Sequence, residues 1–303
     1  MLLLDAALPT FSFWTVIAAG ELCLFKELDK GPQSVEVLAE RTGASGRGLE
    51  VLLEALEGLS WVEKKNGTYE LNDAARKTLP IDDFNTMVPF LKDQMLTSAD
   101  AARAVREAPE GGIHGWERVR SGPVGRGYQA TMRWLASGTV DEVVDKIDLP
   151  DEARRMLDVG GSHGMYTVKF CRKYPNLRGT VLDWPIGLEA AEKTLRERPD
   201  VAGRVDLVER DFEKEELPEG YDFAFLGNIV HGVSPAGNRE LFGNLARATT
   251  DIGTVGIQPS ELAKIVVILA LAHYFAERDP RPFGVRALLL PTKARAPMSV
   301  RCL

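Results

Sequence analysis

Short apolar segments alternate with helix-like segments from residue 154 onward, and this alternation limits the possible folds more than any other feature of the chain. The four predicted strands are Met156–Val159, Thr180–Asp183, Val205–Val208 and Phe223–Leu226. Strands that alternate with helices form a mostly parallel sheet with helices on both faces. In such sheets ligands bind beyond the carboxyl ends of the strands. The sequence therefore predicts a Rossmann-like α/β domain with a ligand site at that edge.

A glycine-rich loop follows the first predicted strand. It runs Asp158-Val159-Gly160-Gly161-Ser162-His163-Gly164 and leads into a helical segment. Glycines here permit a tight turn and let a ligand approach backbone N–H groups. The spacing of Gly160, Gly161 and Gly164 does not match the G-x-G-x-x-G fingerprint of dinucleotide-binding domains. Because Asp158 leads the loop, S-adenosylmethionine (SAM), which has no phosphates, is the better candidate ligand.

Polar and aromatic residues also follow the next two strands. Asp183 ends the second strand, 25 residues after Asp158, and suits a carboxylate that accepts hydrogen bonds from ribose hydroxyls. Asp211 and Phe212 follow the third strand and offer a polar acceptor and an aromatic face for an adenine. Each residue alone has an ordinary structural explanation, as a cap, a turn or a core residue. Their joint occurrence at successive strand ends predicts a nucleoside site.

The first hundred residues have the order of elements found in a winged helix. A helix is predicted from Phe11 to Leu28, and Ser34 and Ser45 are expected to cap two more. Short strands at 61–63 and 68–71 then flank an Asn-Gly turn, which is typical of a hairpin. The predicted module is helix, helix, helix, hairpin.

A winged helix often reads DNA with its third helix, so a regulatory function is one hypothesis. Residues 1–80, however, hold 8 Lys or Arg against 12 Asp or Glu. The third helix itself carries Glu50, Glu54 and Glu57, which would repel phosphate. We therefore expect a packing and dimerisation module, and no nucleic-acid partner.

The whole-chain composition supports an acidic protein of two domains. The chain has 303 residues, a net charge of -7 and an isoelectric point near 5.3. Cys23, Cys171 and Cys302 are odd in number and form no CxxC pair, which favours a reducing compartment and no zinc site. The N-terminus lacks the basic region of a signal peptide. We expect a cytoplasmic location and, since no Asp/Glu/His cluster stands out, no metal.

Together these motifs resemble the small-molecule O-methyltransferases of the plant caffeate and acetylserotonin type. The resemblance covers about residues 10–250 and rests on the winged-helix region, the 158–164 loop, Leu182-Asp183-Trp184-Pro185, Arg210-Asp211-Phe212 and Asn228-Ile229-Val230-His231. It implies a homodimer formed through the first half of the chain. It also implies that the second half binds SAM and acts on a small hydroxylated, aromatic acceptor.

The resemblance assigns cofactor contacts residue by residue. Gly160 and its neighbours would hold the methionine end of SAM, and Asp183 the ribose. Asp211 and Phe212 would hold the adenine. Asn228, the first residue of the motif that ends at His231, is also assigned to cofactor binding.

Three further residues are implied on the acceptor side. Tyr128 and Met132 resemble a segment that lines the cofactor and acceptor pocket, although this spacing also suits a helix core. His231 follows the fourth strand and is interpreted as the general base, because a neutral imidazole can take a proton from a phenol. Many relatives continue His-Asp-Trp where this chain has His231-Gly232-Val233, so the acceptor contacts are expected to differ.

Two other functions stay open at this point. The loop also matches G-x-S-x-G, the nucleophile elbow of α/β-hydrolases, and Ser162, Asp211 and His231 follow the hydrolase order. Against a hydrolase, only a helical domain precedes this elbow, whereas hydrolases place several strands before it. The second alternative is a SAM-binding protein without turnover, regulatory through its winged helix.

The C-terminal part departs from the methyltransferase pattern. A fifth strand is predicted at Thr254–Ile257, but Asp251 to about Pro291 resembles a fragment of the rod-shape and cell-division polytopic membrane proteins. The uncharged stretch Ile265–Ala276 has 12 residues. A membrane-spanning helix needs about 20 residues, so we expect a buried or interfacial helix and no span. The C-terminal part of the sheet is expected to be incomplete, whether through a natural fusion, a frame error or an engineered junction.

The predicted organisation has four parts. They are a winged-helix dimerisation domain at 1–100, a helical linker and pocket region at 101–150, a SAM-binding domain at 151–257 and an atypical segment at 258–303.

Overall fold

The computed structural model describes residues 2–98, 101–107 and 116–257. The chain divides between Ser137 and Gly138 into two compact units. The elements of the first unit are α1 (Leu2–Glu21), α2 (Leu24–Asp29), α3 (Val35–Thr42), α4 (Gly46–Gly58), β1 (Val62–Lys65), β2 (Thr68–Leu71), α5 (Asp73–Thr78), α6 (Ile81–Ser98), α7 (Ala101–Glu107), a 3₁₀ turn (Trp116–Val119) and α8 (Gly122–Ser137). Those of the second unit are α9 (Val140–Asp145), β3 (Arg155–Val159), α10 (Met165–Lys173), β4 (Arg178–Asp183), α11 (Pro185–Arg196), α12 (Pro199–Ala202), β5 (Val205–Glu209), β6 (Tyr221–Leu226), a 3₁₀ turn (Val230–Gly232), α13 (Pro235–Ala248) and β7 (Thr249–Ile257).

The first unit contains the predicted helices and hairpin. Ser34 Oγ accepts a hydrogen bond from the third N–H after it at 3.4 Å, and Ser45 Oγ does the same at 3.1 Å, so both residues cap helices. Asn66 and Gly67 have φ values of 50° and 81°, which a two-residue hairpin turn requires. β1 and β2 pair antiparallel on either side of this turn.

The predicted single helix from Phe11 to Leu28 is wrong. Cys23 adopts a left-handed backbone with φ 56° and separates α1 from α2. The apolar periodicity continues through this break because Ile17 on α1 and Phe25 on α2 are buried in the same core. A pattern of buried residues therefore hides the break between the two helices, which falls at a cysteine.

The sheet of the second unit is parallel, with the strand order β5-β4-β3-β6-β7. β3 pairs with β4 on one side and with β6 on the other. The chain thus moves outward from β3 to β5 and then resumes at β6 on the opposite side. This reversal creates a switch point beside the carboxyl end of β3, where ligands of open α/β sheets bind. The Rossmann-like α/β class is confirmed, and each of the four strands predicted between residues 156 and 226 lies within two residues of its observed bounds.

Helices cover both faces of this sheet. Leu241 on α13 is buried in one cluster with Leu157 and Leu182, whereas Val181 belongs to a second cluster with Ala191 of α11. Leu182 and Val181 are neighbours in β4, and successive strand residues point to opposite faces. The strands read as continuous apolar runs because both of their faces are covered.

Of the expectations for the C-terminal part of the sequence, the fifth strand lies within the described residues and the uncharged stretch does not. β7 pairs with β6, so the predicted fifth strand at Thr254–Ile257 is present and begins earlier, at Thr249. The uncharged stretch Ile265–Ala276 and the rest of the segment 258–303 lie outside the described residues. Within the described ranges, no helix has the length and apolarity to cross a membrane. The four-part organisation and the incomplete sheet stay predictions.

Candidate functional site

The loop between β3 and α10 is a tight turn held against β4. The N–H groups of Gly160 and Gly161 donate to a main-chain carbonyl of β4 at 2.8 and 3.3 Å. Gly160, Ser162 and Gly164 have φ values of 64°, 47° and 67°, in the left-handed region that favours glycine. A Cβ atom on Gly161 would lie 2.6 Å from the carboxyl carbon of Asp158. Glycine is therefore required here by the turn and by the approach of that carboxyl group.

The Asp183 carboxylate joins this loop to the end of β4. Its Oδ2 accepts the Ser162 N–H at 2.7 Å and its Oδ1 accepts the Trp184 N–H at 2.6 Å. The side chain is only 5% exposed. Burial raises the pKa of Asp183 to about 6, and the two N–H donors oppose that rise. The carboxylate is thus fixed at the switch point, and its oxygens have lone pairs left for further donors.

Asp158 holds the loop to α10 from a more deeply buried position. Its side chain is 1% exposed, and Thr167 Oγ1 donates to its Oδ2 at 2.6 Å. Burial raises the pKa of Asp158 to about 7; the hydrogen bond from Thr167 opposes the rise and the charge of Asp183 adds to it. The predicted contact of Asp158 with a ligand stays a prediction, since its carboxyl group is engaged within the loop.

No sequence pattern singles out His163, which the structure places inside the loop. Its side chain is 5% exposed, and its Nδ1 accepts the Met165 N–H at 3.2 Å. A main-chain N–H can only donate, so Nδ1 carries no proton and the neutral ring is protonated at Nε2. A side chain of the loop thereby accepts a hydrogen bond from the first N–H of α10. The position of His163 just before the glycine that precedes α10 does not by itself predict this bond.

Two aromatic rings lie near parallel at the ends of β4 and β5. The Trp184 and Phe212 rings are inclined by 12°, with centroids 6.4 Å apart. A Cβ atom on Gly160 would lie 3.3 Å from the Phe212 ring, so this ring adjoins the loop. The Asp211 carboxylate instead accepts a main-chain N–H of its own turn at 3.2 Å and pairs with Lys214 at 3.5 Å. Phe212 therefore lies beside the glycine loop, and its contact with an adenine stays a prediction. Trp184 is an aromatic neighbour to which the sequence assigned no role.

The chain beyond β6 approaches the same loop. A Cβ atom on Gly160 would lie 2.3 Å from Ile229 Cδ1, so this segment abuts the glycine loop. Asn228 adopts a left-handed backbone with φ 65°, a conformation that asparagine tolerates. His231 is exposed on the 3₁₀ turn that follows. The structure thus brings the predicted residues at or after the ends of β3, β4, β5 and β6 to one edge of the sheet.

Tyr128 and Met132 lie on α8 in the first unit, whereas the other predicted site residues lie in the second. Both side chains are half-buried, and the Tyr128 ring packs against Phe90 of α6, with centroids 5.3 Å apart and planes at 73°. Their role in a pocket stays a prediction. Among the residues that the structure describes, no cluster of His, Cys, Asp or Glu could hold a metal ion.

Two family models match the chain. The model of the O-methyltransferase dimerisation domain matches residues 11–80, and that of the O-methyltransferase domain matches residues 110–263. The second match includes the loop, Asp183, Phe212 and His231.

Individual relatives and solved structures that resemble this chain are also methyltransferases. The chain is 29% identical over 269 residues to a 3-hydroxy-5-methyl-1-naphthoate 3-O-methyltransferase from Streptomyces sahachiroi, covering 84% of this chain and 75% of that protein. Human N-acetylserotonin methyltransferase, solved in complex with SAM, has a TM-score of 0.68 at 22% identity, covering 84% of this chain and 78% of that chain. An O-methyltransferase from neocarzinostatin biosynthesis, solved with S-adenosyl-L-homocysteine (SAH) and 1,4-dihydroxy-2-naphthoic acid, has a TM-score of 0.64 at 20% identity, covering 81% and 77%.

Proposed function

Since the chain belongs to the O-methyltransferase family, we propose that it transfers a methyl group from SAM to a hydroxyl group of a small aromatic molecule. The observation that carries the proposal is the arrangement of the glycine loop and the Asp183 carboxylate. This carboxylate is buried, fixed by two backbone N–H groups and placed at the switch point of the sheet. SAM, when bound, supplies a methyl group whose carbon the acceptor oxygen attacks in line, so that the sulfonium sulfur leaves as the thioether of SAH.

The donors and acceptors of the site fit SAM. Asp183 has the acceptor oxygens that ribose hydroxyls need. Phe212 and Trp184 offer aromatic faces for the adenine, and we assign the methionine end of SAM to the glycine loop at Gly160 and Gly161. Asn228 follows the next strand, and we assign it to the cofactor with them.

The same groups disfavour a ligand with phosphates. The Ser162 N–H is given to Asp183 and the Met165 N–H to His163, so these loop donors are already used. Asp158 and Asp183 add two buried carboxyl groups to the loop. A phosphate would meet negative charge there, whereas the positive charge of SAM would be stabilised.

His231 is the residue that we assign to proton transfer. It is exposed at the edge of the sheet to which the glycine loop belongs, so an acceptor can reach its ring. An imidazole nitrogen takes the proton of the acceptor hydroxyl while that oxygen forms its bond to the methyl carbon. Such a base contributes about 10²- to 10⁴-fold to a rate.

We propose that the acceptor is a hydroxylated aromatic ring system. The Streptomyces relative is named for a hydroxylated naphthoate, and the neocarzinostatin enzyme was solved with a dihydroxynaphthoic acid. Tyr128 and Met132 on α8 remain our candidates for lining its pocket. The match to a dimerisation domain at residues 11–80 supports a homodimer formed through the first unit. We also propose a cytoplasmic location, because the cysteines are odd in number and form no CxxC pair, which favours a reducing compartment.

Methyl transfer from radiolabelled SAM to a panel of hydroxynaphthoates and simpler phenols tests this function. We expect label in the product with at least one bicyclic acceptor. His231→Ala should lower kcat by about 100-fold or more while the affinity for SAH stays the same. Arg239→Ala, an exposed change on the neighbouring helix, is the matched control and should leave kcat unchanged.

Each negative result has a distinct meaning. Transfer that His231→Ala leaves intact would remove this histidine from the mechanism. Binding of SAH without transfer to any acceptor would favour the SAM-binding protein without turnover. Hydrolysis of esters that Ser162→Ala abolishes would favour the hydrolase.

A further inference from the structure

The side-chain amide of Asn238 bonds to both sides of the turn that carries His231. Its Nδ2 donates to the carbonyl oxygen of Val230 at 2.8 Å and to that of Val233 at 2.9 Å. These two carbonyls bracket His231, and we call the segment Val230–Val233 the His231 turn. The orientation of the amide follows from chemistry, because both neighbours are acceptors and only the nitrogen end can donate.

Asn238 is itself held by a fixed element. It lies in the first turn of α13, where Ser234 Oγ accepts the Gly237 N–H at 3.1 Å and the Asn238 N–H donates to the Ser234 carbonyl at 2.8 Å. Farther along α13, Leu241 and Leu245 are buried in the core of the sheet. The amide therefore reaches the His231 turn from a capped and anchored helix.

The His231 turn needs such support. Its regular part is a 3₁₀ turn of 3 residues, in which Gly232 N–H donates to the Ile229 carbonyl at 3.0 Å. Short 3₁₀ segments have poor hydrogen-bond geometry and hold their conformation weakly alone. Two bonds from one amide fix the main chain on both sides of His231 and so limit where its ring can lie.

We propose that Asn238 is a positioning residue that orients His231 for proton transfer. The inference rests on the proposed function, in which His231 is the base. Proton transfer requires the ring nitrogen within hydrogen-bond reach of the acceptor hydroxyl, and a misplacement of about 1 Å can cost about 100-fold in rate. Asn238 acts through His231 and not on the acceptor or the cofactor.

Two variants of Asn238 separate its donors from its shape. Asn238→Ala removes the side-chain amide, whereas Asn238→Asp keeps the shape and replaces the donors by an oxygen that faces two carbonyl oxygens. The caps at Ser234 remain in both, so α13 should keep its start. Asn244→Ala, on the same helix, is the matched control because its side chain pairs with Arg247 on α13.

Steady-state kinetics gives the first readout. We expect Asn238→Ala and Asn238→Asp to lower kcat by about 10- to 100-fold. The KM for SAM and the Kd for SAH should stay within about twofold of the wild type, since the glycine loop is untouched. In a His231→Ala background, Asn238→Ala should cause no further loss, because the base that it orients is already gone. Wild-type kcat in both Asn238 variants, or an additive loss in the double variant, would overturn the proposal.

Hydrogen exchange gives a second readout that needs no turnover. The amide of Gly232 in the cofactor-free chain should exchange about tenfold or more faster in Asn238→Ala than in Asn244→Ala, since loss of one hydrogen bond already permits local opening. Equal exchange in the two variants would overturn the proposal even if the kinetics moved. Absence of methyl transfer by the wild type would instead count against the proposed function, and the exchange result would still decide whether Asn238 holds the turn.

Discussion

Replacing Asp158 by Asn removes a buried ionisable group while keeping its shape, and we expect it to change how the free energy of unfolding depends on pH. Burial raises the pKa of Asp158 from 3.8 to about 7 in the native state. The native state therefore holds a proton on this carboxyl group up to about pH 7, whereas the unfolded chain loses it near pH 3.8. The native state binds more protons across that window, so the free energy of unfolding falls as the pH rises through it.

The size of the effect follows from the two pKa values. Between pH 5 and pH 8 the Asp158 contribution to the free energy of unfolding should fall by about 3 kcal/mol. Asp158→Asn should lack this part of the pH dependence, and the variant should gain about 3 kcal/mol relative to the wild type over that interval. Burial raises the pKa of Asp183 only to about 6. Asp183→Asn should accordingly shift by about 1 kcal/mol over the same interval.

Urea unfolding of the cofactor-free chain at several pH values measures this shift. Trp184 is the only tryptophan after residue 137, so its fluorescence reports on the second unit. Thr167 Oγ1 can still donate to the amide oxygen of the Asn variant, which keeps the loop bonded to α10. A stability difference between Asp158→Asn and the wild type that is the same at pH 5 and pH 8 would refute the reasoning.

Three further results are expected. Gly161→Ala should weaken the affinity for SAH by about tenfold or more, measured by calorimetry, because its Cβ would lie 2.6 Å from the Asp158 carboxyl carbon; unchanged affinity would contradict this packing. Lys173→Met should lower the free energy of unfolding by about 1–3 kcal/mol, measured in urea, because Lys173 Nζ donates to three main-chain carbonyls at 2.9–3.2 Å. Ser162→Ala should retain methyl transfer, since Ser162 contributes its backbone N–H to Asp183; loss of methyl transfer with normal SAH binding would show that the hydroxyl group is needed and would contradict this expectation.

The sequence was a good guide where burial alone sets the structure. β3, β4 and β6 are covered on both faces, so each appears as an apolar run, and an Asp or Gly marks its end. The glycine loop could be located for a different reason, because Gly160 and Gly164 mark a left-handed backbone that other residues adopt at a cost. Burial could not locate the break at Cys23, since apolar residues on both sides of it share one core.

The helix caps at Ser34 and Ser45 were predicted, but two other side-chain contacts to the backbone were not. His163 and Asn238 bond to main-chain groups two to eight residues away, but these bonds depend on the path of a turn and not on periodicity. Asn238 had one usable signal, because Ser234-Pro235 predicts a helix start and places Asn238 in its first turn. The ring of Trp184 beside Phe212 could have been anticipated, because these residues follow successive strands and successive strands of such a sheet are usually adjacent.

Calorimetric titration of the 303-residue chain with SAH tests the central claim most directly, that the loop at 160–164 and Asp183 form a SAM site. We predict one SAH bound per chain, and a loss of about tenfold or more in affinity in Asp183→Ala, whose side chain no longer holds the Ser162 N–H. The matched variant Asp206→Ala, on the same sheet but exposed, should bind like the wild type. Absence of SAH binding by the wild type, or equal affinity of the Asp183→Ala variant, would contradict the account.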